Sequence, residues 1–200
     1  MAIGTVIAIA QKDVKRVLAY SAIAHSGFLL TGIIALSKDG LNATLIYLFT
    51  YGFTTIGTFA IVTLVRDSGG EVSDLNRWVG LGKRSPLVAG TFTLFLLGLA
   101  GIPLTSGFVG KFAIFTAAYK SGNISVVVAG VLASAIAAFF YIRIIVMMYF
   151  SDPVEDGTSV VIPSAMTAAT IAICAVATLA MGIYPQPVIS VINSLAFFAG

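Results

Sequence analysis

The stretch GLAGIPLTSGFVGKF, residues 98–112, decides how the rest of the chain is read. It sets Gly101, Pro103 and Lys111 inside a run, Pro86 to Tyr119, that is otherwise apolar enough for lipid. One straight helix over those 34 residues would be about 51 Å long, against roughly 30 Å of hydrocarbon in a bilayer. Proline removes a backbone donor and clashes with the preceding turn, and glycine tolerates the irregular backbone that results. The pattern predicts a discontinuous helix: Pro86–Ala100, an extended joint over 101–106, and Gly107–Tyr119. Pro86 suits the first helical position.

Working outward, the chain alternates long apolar runs with short polar connections. Val17–Ser37 holds His25 as its one titratable side chain apart from Tyr20, and Leu41–Val65 carries no charge before Arg66. Ile124–Phe150 is interrupted by Arg143, and a last span opens at Pro163 and closes at Pro185-Gln-Pro187. Met1–Ala10 is too short to cross a bilayer. With no basic segment ahead of it and no small-residue cleavage site behind, it reads as a stub of helix rather than a signal peptide. The expected fold is therefore all-α, a polytopic membrane helix bundle of about five full transmembrane helices plus an N-terminal partial helix. Residues 1–200 form a single membrane domain.

Composition agrees. The chain is 58% hydrophobic and 10% charged, with a mean hydropathy of +1.04, and eight acids with eleven bases cannot clothe a water-soluble core of this size. The expected surroundings are a lipid bilayer, not nucleic acid. Lysine and arginine divide unevenly between alternate loops. Lys12, Lys15, Arg16, Arg66, Arg77, Lys83 and Arg84 fall on one side, Lys38 and Lys120 on the other. The basic side is expected in the cytoplasm, together with the acidic loop of Asp152, Glu155 and Asp156, and the C-terminus outside.

Lys111 carries the chemistry. Its neighbours in sequence include no carboxylate, and a lysine in the centre of a membrane helix costs about 3 kcal/mol. A broken helix beside it offers free backbone groups and room for water, the setting in which transporters place ion sites. A desolvated lysine can release and regain a proton, so Lys111 is a candidate proton carrier; the plainer reading is a side chain that snorkels to the interface. Arg143 keeps its proton and reads as a structural charge. His25 is a candidate relay or a histidine bonded to a neighbouring helix. Tyr47 and Tyr51, four apart with Thr55 nearby, can line a hydrated path or pack a helix pair. Lys12, Asp13, Lys15 and Arg16 cluster at a membrane boundary, where Asp13 neutralises the bases or tunes Lys15. One histidine and one cysteine, Cys174, cannot build a metal site, and Cys174 reads as a buried hydrophobe. Gly69-Gly70 lacks what a phosphate loop needs, and no Ser-His-Asp set is suggested.

Two stretches go further. QKDVKRVLAYSAIAHSGF, residues 11–28, resembles a segment shared by the antiporter-like subunits of respiratory complex I and by Mrp-type sodium/proton antiporters. LAGIPLTSGFVGKF, residues 99–112, resembles the broken twelfth helix of those subunits, and FYIR at 140–143 and YPQP at 184–187 fit the last two helices. Within the family the wording around Lys111, and the absence of histidine or lysine where Tyr47, Tyr51 and Thr55 stand, favour the N-type branch (mitochondrial subunit 2 type). The resemblance implies the second of two inverted repeats plus a final helix, so that the chain is the C-terminal portion of a longer subunit, Met1 falling inside a helix of the family. The family's first-half glutamate and lysines have no counterpart here.

It also implies a proton-translocating subunit of NADH:quinone oxidoreductase in a bacterial inner membrane, with Lys111 as proton carrier and Lys15, Asp13 and His25 as possible relays. Gly101, Pro103 and Gly107 mark the helix break. No cofactor is expected in this chain; NADH, FMN, iron–sulfur clusters and quinone belong to partner subunits, and the other membrane subunits of complex I are the partners. The alternatives are a Mrp-type cation/proton antiporter subunit and a structural membrane scaffold.

Overall fold

The structure is a computed structural model and describes residues 1–152 and 158–196. Four continuous helices are long and apolar enough to cross a membrane: α2 (Val14–Ile34), α3 (Lys38–Val62), α7 (Ile124–Phe150) and α8 (Ala165–Ile183). The fifth crossing is made in two pieces, α5 (Pro86–Ala100) and α6 (Ser106–Lys120). At 15 residues each they reach about 22 Å, so neither spans the hydrocarbon alone. Short helices complete the set: α1 (Ala2–Ile9), α4 (Leu81–Arg84) and α9 (Gln186–Ala196).

The five crossings and the stub are those expected, but α2 and α3 each begin three residues earlier than the charge-free runs. Caps set these starts. Asp13 Oδ1 accepts the Arg16 N–H (2.9 Å) and Ser37 Oγ accepts the Gly40 N–H (3.1 Å), so the charged first turns belong to the helices. The sequence also closed the last span at Pro185-Gln-Pro187. In the structure α8 ends at Ile183 and a new helix, α9, starts at Gln186, with Pro187 in its first turn, where the missing N–H costs nothing.

The polar connection after α3 has more order than its composition announced. β1 (Val65–Asp67) pairs antiparallel with β2 (Gly70–Glu71) on one side and with β3 (Ser159–Val160) on the other. Asp13 bridges to Asp74, and a 3₁₀ turn over Leu75–Trp78 seats Trp78, whose Nε1 donates to Val72 O at 2.9 Å. Val65, Leu75, Trp78 and Leu81 form a small buried core continuous with Phe92 and Phe95 of α5. The connections after α1, α3 and α7 therefore meet on one face, as the charge count requires. Lys120 pairs with Asp39 (3.7 Å) and Asn42 bonds Asn193 (3.0 Å) on the other. Of the acidic loop, Asp152 is described and pairs with Lys83 at 2.6 Å; Glu155 and Asp156 lie outside the described residues.

Candidate functional site

The site is built by the way α5 ends. Gly101 adopts φ +82°, a left-handed value that glycine takes without penalty. This closes a Schellman turn: Gly101 N–H donates to Gly98 O (3.0 Å) and Ile102 N–H to Leu97 O (3.1 Å). Two of the last four carbonyls of α5 are thereby satisfied, and those of Leu99 and Ala100 are left pointing beyond the helix. Lys111, in the second turn of α6, supplies what they need. Its Nζ donates to Ala100 O at 2.8 Å, to Leu99 O at 3.1 Å and to Ser134 Oγ of α7 at 2.9 Å.

An ammonium has three protons, and all three are used. The pair of carbonyls is also the negative end of the α5 dipole, which favours a cation there. The Phe28 ring of α2 lies 5.0 Å from Nζ, within cation–π range. Lys111 is 4% exposed, which removes the snorkelling reading.

Glycines let the two half-helices approach. A Cβ on Gly107 would stand 1.8 Å from Gly98 O, and one on Gly182 of α8 would stand 2.3 Å from Leu104 O. A Cβ on Gly101 would meet the Lys111 side chain at 2.8 Å. Pro103 follows directly on the turn and keeps α5 from continuing. Behind the joint, Thr54 Oγ1 lies 3.2 Å from Ser106 Oγ and 3.4 Å from Thr178 Oγ1, which gives the buried start of α6 polar company.

A second polar row runs beside this site. His25 Nδ1 lies 2.6 Å from Tyr47 Oη, and His25 Nε2 lies 3.4 Å from Tyr141 Oη, which bonds in turn to Ser21 Oγ. Tyr51 stacks on the imidazole with centroids 4.5 Å apart. The row and the lysine meet at Phe28, whose ring packs edge-on against His25 at 5.7 Å. Tyr47 thus bonds the histidine of the neighbouring helix α2, and the same contact gives His25 its partner on α3. Thr55 is half-buried one turn past Tyr51 and lies beside its hydroxyl.

The remaining candidates sit elsewhere. Asp13 caps α2 and accepts from Ser73 Oγ at 2.5 Å, while Lys15 reaches Glu71 at 2.5 Å. They face the sheet, about 15–18 Å along α2 from His25, and not each other. Burial pushes the Asp13 carboxyl up, but the Ser73 hydroxyl and the first N–H groups of α2 outweigh it and hold the group below the usual carboxylate range. Lys15 does the same for Glu71, and the Arg77 guanidinium for Asp67. Arg143 is exposed and donates to Ile9 O (3.4 Å) at the end of α1. Among the described residues no group of His, Cys, Asp or Glu can hold a metal.

Ser134, Tyr141 and Ser21 were not singled out in the sequence. Ser134 and Tyr141 are seven apart, two turns on one face of an otherwise apolar helix, and that spacing was the available signal.

Residues 1–137 match the model of the family described as NADH:quinone oxidoreductase/Mrp antiporter, TM. NADH-quinone oxidoreductase subunit N of Rhodococcus opacus is 57% identical over 99% of the chain and 37% of its own length. A chain of respiratory complex I from Thermus thermophilus superposes with a TM-score of 0.82 at 30% identity, covering 94% of this chain and 42% of that one. A chain of the Mrp complex from Dietzia gives the same TM-score at 23% identity, covering 97% and 44%, and so shares the fold. The chain thus spans about two-fifths of the length of these relatives. With its interrupted helix and the lysine that closes the break in place, the chain belongs to the NADH:quinone oxidoreductase/Mrp antiporter transmembrane family.

Proposed function

We propose that these residues form the C-terminal portion of an N-type subunit of a bacterial NADH:quinone oxidoreductase, a second inverted repeat plus final helix, and that Lys111 carries protons through it. The observation that supports this most is the hold on Lys111. Among the described residues a buried ammonium meets three neutral oxygens and no carboxylate, at a place where the helix backbone is open. A permanent ion pair would lock the charge. Neutral acceptors hold it but leave the amine able to release a proton.

The row Ser21–Tyr141–His25–Tyr47 is the proposed polar approach from the interior of the bundle. Redox chemistry with NADH, FMN, iron–sulfur clusters and quinone belongs, on this reading, to partner subunits, and the other membrane subunits of the complex are its neighbours. The basic loop face is cytoplasmic and the chain leaves α8 on the outer side. Lys15 and Asp13 serve the boundary of the membrane rather than the path.

The Mrp-type reading keeps the same lysine and couples it to sodium; the sequence likeness to subunit N favours the redox-driven complex. The scaffold reading needs Lys111 to reach an acid on a neighbouring subunit, and its three donors are already engaged within the chain. The test is Lys111→Met in the subunit assembled in its complex. Proton pumping is expected to fall at least about ten-fold, the effect of one lost hydrogen-bonding charge, with assembly retained. Pumping at the unsubstituted level would overturn the assignment.

A further inference from the structure

The three acceptors of Lys111 are not equivalent. The carbonyls of Leu99 and Ala100 can only accept: they can take N–H donors from the ammonium or the neutral amine, but they offer nothing to the lone pair that deprotonation uncovers. Ser134 is different, because a hydroxyl both accepts and donates. It lies 2.9 Å from Nζ, and among the described residues its own proton has no acceptor. Beside the pair a cavity of about 280 Å³ opens between α6 and α7, with Phe108, Phe112, Phe115 and Val131 as its apolar walls and Lys111 and Ser134 as its polar floor. That is room for several waters at about 30 Å³ each, next to two polar groups that could hold them.

We propose that Ser134 is the positioning residue of this site: it accepts from Lys111 while the lysine is charged, rotates to donate to the amine once the proton has left, and so keeps Nζ at the mouth of the α6–α7 cavity in both states. The proposal rests on the reading of Lys111 as proton carrier and adds what holds the carrier in place when it is empty. Without Ser134 the lone pair of the neutral amine has no donor within the site, and the ammonium loses one of its three acceptors. The bond lost from the ammonium is charge-assisted and the stronger of the two, so loss of the hydroxyl penalises the charged form more.

The titratable groups that neighbour this part of α6 are His25 on α2, Tyr47 and Tyr51 on α3, Tyr141 on α7 and Cys174 on α8; α5 brings none. Of these, histidine is the type that ordinarily titrates near neutrality, and His25 is parted from Lys111 by the Phe28 ring.

The experiment measures proton pumping against pH in the complex assembled with Ser134→Ala, Ser134→Thr or Lys111→Met. Ser134→Ala is expected to lower pumping at neutral pH about ten-fold, the worth of one hydrogen bond to a charged group, and to move the profile to lower pH, because the charged form loses the stronger bond. Ser134→Thr, which restores a hydroxyl, is expected to recover both. If Ser134→Ala pumps normally with an unmoved profile while Lys111→Met does not pump, the positioning role is overturned and the carrier reading stands. If alanine and threonine impair pumping alike, the role is one of packing and the proposal fails. If Lys111→Met pumps normally, the carrier reading falls and this proposal falls with it.

Discussion

Lys111 is held by a helix end. The Schellman turn at Gly101 uses the carbonyls of Leu97 and Gly98, and the lysine takes those of Leu99 and Ala100, so the C-terminus of α5 is satisfied without water. The arrangement depends on how closely the two half-helices pass. Gly107→Ala puts a methyl group 1.8 Å from a backbone oxygen that cannot swing aside, and should destabilise the subunit by about 1–3 kcal/mol or more. Gly90→Ala makes the contrast. Its Cβ finds nothing nearer than the Tyr149 hydroxyl at 3.8 Å, and the helix gains about 1 kcal/mol of propensity. Thermal stability of the assembled complex should fall for the first and hold or rise for the second. Equal effects would mean that the close approach at the joint is not what sets the break.

At the scale of elements, the sheet β2–β1–β3 is a clasp that ties the connection after α3 to the one after α7, and the Asp13–Asp74 bridge adds the one after α1. Its charges sit at the rim: Lys15 and Arg66 on Glu71, Arg77 on Asp67, with Asp13 capping α2 beneath. The carboxyls of Asp13, Asp67 and Glu71 lie below their usual range, so their folded form holds protons less readily than the unfolded chain. Their contribution is complete above the ordinary carboxylate value of about 4 and is lost as pH falls through the lower folded values. Hydrogen exchange over residues 65–72 should therefore be unchanged from pH 7 to 5 and accelerate only below about pH 4, beyond the intrinsic effect of pH. Opening near pH 6 would argue against these partners.

This clasp was not legible in advance, because strands of two and three residues are too short to carry an alternating pattern, and β3 comes from a loop ninety-odd positions away. The broken helix was legible to within a residue. Gly101 and Pro103 forbid a continuous ladder whatever surrounds them, and a run of 34 residues is too long for one crossing. Lys111 stood out for the same local reason, as an isolated charge. What holds Lys111 did not. The carbonyls of Leu99 and Ala100 carry no sequence signal, and Ser134 is an ordinary small residue until the fold brings α7 to it. His25, Tyr47 and Tyr141 likewise become a row only when three helices converge.

For the whole molecule, strand pairing fixes which connections share a side. The segments 65–67 and 159–160 lie on one face, and the turn at Ser121–Asn123 lies on the opposite one. Single cysteines make this testable, since the native Cys174 is buried. Ser68→Cys and Ser159→Cys, both at exposed positions, should be labelled by an impermeant thiol reagent from the cytoplasmic side, and exposed Ser121→Cys from the outside. Labelling of Ser68→Cys and Ser159→Cys from different sides would contradict the fold itself. Both labelled from outside, with Ser121→Cys from within, would keep the fold and invert the orientation.

The account stands or falls on whether Lys111 must let go of its proton, and one measurement reaches that directly: proton pumping by the complex carrying Lys111→Arg. Arginine keeps the charge and can still donate to the carbonyls of Leu99 and Ala100, but it does not deprotonate. The account predicts a complex that assembles, transfers electrons and does not pump through this subunit. Pumping at the unsubstituted level would mean that the charge at position 111 is needed only as a fixed partner in the structure, and the carrier role would be wrong.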